Sequence, residues 1–111
     1  MTWPAKVSKL IEARSGGLCE GCGVREATEK HHRKFKSRGG KDELVNALHL
    51  CGWGNHTGCH GEAHTDPERT VDGWSVNSWD DPRFKRVLYR GQWVFLLPGA
   101  PWVGPIVEVP W

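Results

Sequence analysis

Cys51-Gly52-Trp53-Gly54-Asn55-His56-Thr57-Gly58-Cys59-His60-Gly61-Glu62-Ala63-His64 holds two of the chain's four cysteines and three of its six histidines. The other two cysteines stand in Cys19-Glu20-Gly21-Cys22-Gly23. A CxxC with glycines inside and after it lets two thiolates turn onto one ion, because glycine permits the tight backbone. Cys51 and Cys59 supply the second pair across a spacer of seven residues. The four thiolates predict a structural zinc site, closed to substrate because four protein ligands leave no open position. His56 lies inside the spacer and could stand in for one thiolate. A redox CxxC is the competing interpretation, but no thioredoxin-like strand–helix pattern surrounds Cys19.

Every Cys and His falls between Cys19 and His64. One metal-bearing unit explains that clustering better than scattered structural histidines. A short helix beginning at Cys59 places His60 and His64 on one face at i, i+4, a common grip on a metal. His31 and His32 are neighbours in a segment that reads as a strand, so they point to opposite faces. One would face a metal and the other a reacting group. The plainer alternative leaves His60 and His64 as exposed helix residues and His31 as a zinc ligand. Lys30, Arg33, Lys34, Lys36, Arg38 and Lys41 flank this pair with no acid among them. A charge run is usually a solvated loop, but its place directly after the histidine pair favours phosphate contacts.

Outward from this unit, residues 4–14 read as a helix with Pro4 in its first turn and Ser15-Gly16-Gly17 as its stop. Val7, Leu10, Ile11 and Arg14 share one face, with Lys6 and Lys9 solvated beside it. Residues 27–33 read as a strand, 34–43 as a basic loop, and 44–51 as a second short strand or turn. Beyond Pro67 the chain is rich in tryptophan, with Trp74, Trp79, Trp93, Trp102 and Trp111. Residues 86–89 and 92–97 predict a hairpin turning at Arg90-Gly91, after which Pro98, Pro101, Pro105 and Pro110 keep the end extended or turning. This tail could cap the metal unit or offer a partner surface.

At 111 residues the length suits one domain, which a metal would help to stabilise. Residues 1–66 are expected to form the metal-bearing unit and 67–111 an extension packed on it. No apolar run of about 18 residues exists, so no membrane helix is expected. The first residues lack the apolar stretch of a signal peptide, which predicts a reducing cytoplasm, where cysteines serve as metal ligands. The net charge of +2 hides a segregation. Residues 1–41 carry ten Lys/Arg against four Asp/Glu, residues 42–82 one against eight, and residues 83–111 four against one. Such a gradient points to an anionic partner docking on one part of the molecule.

Together, His31-His32-Arg33, Ser37-Arg38-Gly39-Gly40-Lys41-Asp42-Glu43-Leu44-Val45-Asn46, Leu50-Cys51 and Cys59-His60-Gly61-Glu62-Ala63-His64 resemble an HNH endonuclease. The pattern is similar to the small zinc-stabilised HNH proteins of bacteriophages and prophages, over residues 7–65. The resemblance implies an α+β, treble-clef-like ββα-metal unit that hydrolyses DNA phosphodiester bonds, here with a Trp-rich C-terminal β-hairpin extension. It casts His32 as the general base, Asn46 as the residue that fixes the loop, and His31, His60 and His64 as ligands of one catalytic divalent cation (Mg²⁺, Mn²⁺, Ni²⁺ or Zn²⁺). The family often has Asp where this chain has His31. Cys19, Cys22, Cys51 and Cys59 would hold the structural zinc, and Arg33, Lys34, Lys36, Arg38 and Lys41 would contact nucleic acid. Implied partners are DNA and phage terminase or packaging proteins, with the chain a monomer or homodimer in the host cytoplasm. A non-catalytic zinc-dependent nucleic-acid-binding module is the alternative from a different class.

Overall fold

Pro4 stands just before the first helix, α1 (Ala5–Ser15), rather than inside its first turn. Its φ of −53° is compatible with helix entry, and its missing N–H costs nothing there. The helix stops at Gly16, whose left-handed φ of 63° lets its N–H donate to the Glu12 carbonyl at 2.9 Å. These elements belong to a computed structural model that describes residues 3–54 and 56–105. The helix buries Ile11 and Arg14, while Val7 and Leu10 pack beside them on a cluster with Trp3, Leu44 and Ala47. Lys6 and Lys9 stay exposed on the other side.

Strand β1 (Glu29–His32) pairs antiparallel with β2 (Ala47–Leu50), setting His31 opposite Leu48 and His32 opposite Ala47. All four residues of β2 are buried. A strand with no polar face reads poorly from alternation, and the segment 44–51 resolves into a single 3₁₀ turn at Leu44–Asn46 followed by the strand. The loop 33–46 between the strands also contains a 3₁₀ turn at Lys36–Arg38. Helix α2 (Gly58–Thr65) follows, then the short α3 (Glu68–Val71) and a 3₁₀ turn at Pro82–Phe84.

The tail forms an antiparallel sheet of β3 (Val87–Tyr89), β4 (Gln92–Leu96) and β5 (Val103–Pro105), in that order. The hairpin lies where the sequence puts it, with Tyr89 opposite Gln92. Arg90 and Gly91 both take positive φ, 51° and 85°, as a two-residue turn matched to strand twist requires. The sheet has a third strand beyond the predicted hairpin, one that Pro98 and Pro101 hide in the sequence. It sits at the sheet edge, where Pro105 can end it without breaking an inner ladder. Pro110 and Trp111 lie outside the described residues.

Trp74, Val87, Tyr89, Val94 and Leu96 from the tail share one core with Cys19, Leu48, Leu50, Cys51, Cys59 and Ala63. The tail therefore caps the cysteine-bearing unit, although Trp79 and Trp102 remain exposed. Trp74 lies so close over Gly21 that a Cβ there would come within 2.9 Å of the indole ring. The Arg90 guanidinium donates to the Ser15, Leu18 and Cys19 carbonyls, pinning the hairpin turn to the CxxC loop.

Under this core runs a buried ion pair. Arg14 Nε and Nη2 donate to the two Glu20 oxygens at 2.7 and 2.9 Å, and the remaining donors reach the Leu44 and Ala47 carbonyls. Glu20 also accepts from the His49 N–H at 2.8 Å. Removing one partner of such a pair strands the other charge, typically costing about 3–5 kcal/mol. Glu20→Ala should lower stability by about that amount in urea titration. Glu12→Ala, which breaks the exposed pair with Lys30, should leave the midpoint where it is.

Candidate metal centres

The four cysteine sulfurs lie within 4.8 Å of one another. Cys19, Cys51 and Cys59 are buried and Cys22 is exposed. Backbone N–H groups point at sulfur: those of Gly21 and Cys51 donate to Cys19 Sγ at 3.3 Å, and that of Cys59 to Cys51 Sγ at 3.4 Å. Such donors favour thiolates, the form a metal binds. The Cys59 thiol, with N–H groups of Cys22, Cys51 and Gly21, holds the Cys19 thiol down to about 4. The cluster could hold a structural metal ion, and the all-sulfur set suits zinc.

The seven-residue spacer closes on itself. Gly52 and Gly58 meet at its neck, so tightly that a Cβ on Gly58 would lie 2.7 Å from the Cys51 carbonyl oxygen. The His60 N–H donates to that same carbonyl at 3.0 Å. The spacer is thus pinched off at its neck, and Cys51 and Cys59 sit side by side. His56 is exposed and belongs to neither metal-ligating group.

A second group forms from His31, His60 and His64, one nitrogen of each lying within 4.8 Å of the others. Helix α2 sets His60 Nε2 and His64 Nε2 3.2 Å apart. His31 is buried on β1, and its Nε2–H donates to the Trp74 carbonyl at 2.7 Å. That bond selects the tautomer whose Nδ1 carries the lone pair, and Nδ1 is buried without a partner. A buried nitrogen lone pair with no donor facing it fits a metal ligand. Burial pushes the His31 pKa well below its usual value, and lowers those of His60 and His64 too. Repulsion adds to the effect, from the Arg38 cation on His64 and between His60 and His64 whenever both would be protonated. All three are therefore neutral at neutral pH, as ligation requires. Phe35 stacks on His64 at 4.6 Å, and the Arg38 guanidinium lies over the Phe35 ring at 4.3 Å.

The alternation of β1 sends His32 the other way, yet it lines the same groove of about 450 Å³ as His31, His60 and His64, together with Lys30 and Lys36. Its ring stacks on Trp3 at 4.0 Å and its Nε2 lies 2.7 Å from Asp42 Oδ1. Asn46 clamps the loop between the strands: its Oδ1 accepts from the Lys34 N–H at 2.7 Å, and its Nδ2 donates to the Lys34 and Lys41 carbonyls.

The expected run of phosphate-binding cations does not lie on one surface. Arg33 is fully buried, and its guanidinium donates to the carbonyls of Gly73, Val45, Pro82 and Lys85. It follows His32 in alternation and so points into the protein, where it anchors the tail instead of reaching phosphate. Lys34 donates to the Asp80 carbonyl and, with Lys41, lines a different groove beside Glu43, Asp80 and Asp81. Arg38 Nη1 is engaged by Ser75 and Val76. Of the anticipated cations, Lys36 lines the histidine groove, joined by Lys30.

The residues bring together a closed all-cysteine group and an open all-histidine group, each able to hold a metal ion. Comparison with protein-family models, with curated proteins and with solved structures finds no match to this chain. Three contributors carry no motif of their own: Trp3 on the His32 ring, Asp42 at its nitrogen, and the Trp74 carbonyl behind His31. Of these, Asp42 stands in the stretch Ser37 to Asn46, four residues before Asn46.

Because His31, His60 and His64 titrate lower in the folded chain than the unfolded value of about 6.5, the native state binds fewer protons below that pH. Stability is whole above about pH 6.5 and should fall as pH drops beneath it. Urea midpoints measured from pH 8 to 5 should show this decline, and the slope should flatten in His64→Gln.

Proposed function

We propose that the protein is a metal-dependent endonuclease of the HNH type, hydrolysing DNA phosphodiester bonds from a ββα-metal unit made of β1, β2 and α2. The observation that carries this is one groove holding His31, His60 and His64 together with a fourth histidine, His32, and two lysines. A divalent cation held by the three imidazoles would supply charge stabilisation at the scissile phosphate and at the leaving oxygen.

The chain's own residues would do the rest. His32 takes the proton of the attacking water, a role for which an imidazole suits neutral pH. Lys30 and Lys36 hold phosphate oxygens at the groove edge. Asn46 keeps the loop behind His32 in place. The cysteine group serves stability, bringing β2 and α2 into register with the loop at Cys19.

A supercoiled-plasmid assay tests this. Wild type should convert plasmid to nicked or linear form with at least one of Mg²⁺, Mn²⁺, Ni²⁺ and Zn²⁺ and not in EDTA. His32→Ala should slow cleavage on the order of 10²–10⁴-fold while gel-shift affinity for DNA survives. No cleavage with any metal, together with salt-sensitive DNA retention by both proteins, would instead identify a non-catalytic zinc-dependent binding module.

A further inference from the structure

Asp42 contributes no ligand to either metal group, yet its Oδ1 lies 2.7 Å from His32 Nε2. Lys36 Nζ reaches the same oxygen at 3.1 Å. An ionised carboxylate only accepts hydrogen bonds, so the ring nitrogen facing it must carry the proton. His32 Nδ1 is then the nitrogen with the lone pair. It makes no hydrogen bond among the described residues, and the His32 side chain, 12% exposed, lines the groove. The stack of Trp3 on His32, 4.0 Å between ring centres and 13° between planes, hinders ring rotation that would exchange the two edges. Trp3 is itself tethered, its Nε1–H donating to the Lys30 carbonyl at 3.3 Å. Asp42 is held from behind as well, since Asn46 Nδ2 donates to the carbonyl of the residue before it, Lys41, at 2.9 Å.

We propose that Asp42 is a positioning residue for His32, fixing the Nε2–H tautomer and presenting Nδ1 as the proton-accepting nitrogen, with Trp3 holding the ring plane. This rests on the nuclease reading above. In the step it serves, an O–H bond of water breaks and its proton goes to His32 Nδ1. The water oxygen forms the new bond to phosphorus, the P–O3′ bond breaks, and the departing 3′ oxygen is protonated from solvent. The carboxylate then faces the imidazolium that has formed and stabilises it, without taking the proton itself.

The test combines cleavage kinetics with the ring nitrogen signals of His32 in long-range ¹H–¹⁵N spectra of the full chain. Wild type should show His32 as the Nε2–H tautomer. Asp42→Ala should show mixed tautomers, cut plasmid on the order of 10²-fold more slowly at saturating DNA, and keep its KM and thermal midpoint. Asp42→Glu should restore part of both the rate and the tautomer. A plasmid-cleaving protein in which Asp42→Ala matches wild type in rate, or keeps a single Nε2–H tautomer, would overturn the proposal and leave the nuclease reading standing. Wild type that cuts no plasmid with any of Mg²⁺, Mn²⁺, Ni²⁺ and Zn²⁺ would overturn the nuclease reading, and the catalytic use of Asp42 with it.

Discussion

The convergence of four cysteine sulfurs within 4.8 Å is the constraint on which the rest of this structure depends. It joins three segments: the loop of Cys19 and Cys22, the residue that follows β2 (Cys51), and the first turn of α2 at Cys59. Cys59 and His60 are consecutive, one in each metal-ligating group, and the His60 N–H is bonded to the Cys51 carbonyl. Whatever holds the sulfurs together therefore also sets the distance from α2 to β1, and with it the approach of His60 and His64 to His31. In a chain of 111 residues, with limited surface to bury, a metal at this point would add cross-linking that hydrophobic burial alone supplies sparingly.

The tail completes the site as well as covering it. The Trp74 carbonyl orients His31, and the indole of the same residue fills the space over Gly21. Arg33 carries its charge into the interior with no carboxylate among its hydrogen-bond partners, satisfied by four carbonyls from residues 45–85. Burial, with Arg14 adding repulsion, pulls its pKa down to about 9, still high enough to stay protonated at neutral pH. A cation so placed ties the strand that bears His31 and His32 to the backbone of the tail, and losing it would leave those carbonyls unpaired.

Much of this was legible because it rests on local rules. The Pro and Gly bounds of α1, the Arg90-Gly91 turn, the i, i+4 spacing of His60 and His64, and the alternation of His31 and His32 each follow from backbone geometry. The α+β character and the four-cysteine group followed from the same signals. What was not legible depends on contacts across the chain. Arg33 looked like one more member of a basic run, and only the tail's carbonyls turn it inward. The spacer between Cys51 and Cys59 leaves room for His56 in place of a thiolate, because the closing of Gly52 against Gly58 is a tertiary contact that spacing does not show. Trp3 and Asp42 reach His32 from opposite ends of its neighbourhood, and no spacing announces either. The third strand of the tail was hidden by prolines that mark its turn and its edge.

Two separate groups of this chain could each hold a metal ion, one all sulfur and one all nitrogen. X-ray absorption at the zinc edge, on metal-free protein reloaded with one and then two equivalents, tests it most directly. With one equivalent the account expects a single shell of four sulfurs at about 2.3 Å. The second equivalent should add nitrogen at about 2.0–2.1 Å and leave the sulfur shell intact. A mixed sulfur and nitrogen shell at the first equivalent, or no nitrogen-bound zinc at the second, would contradict it.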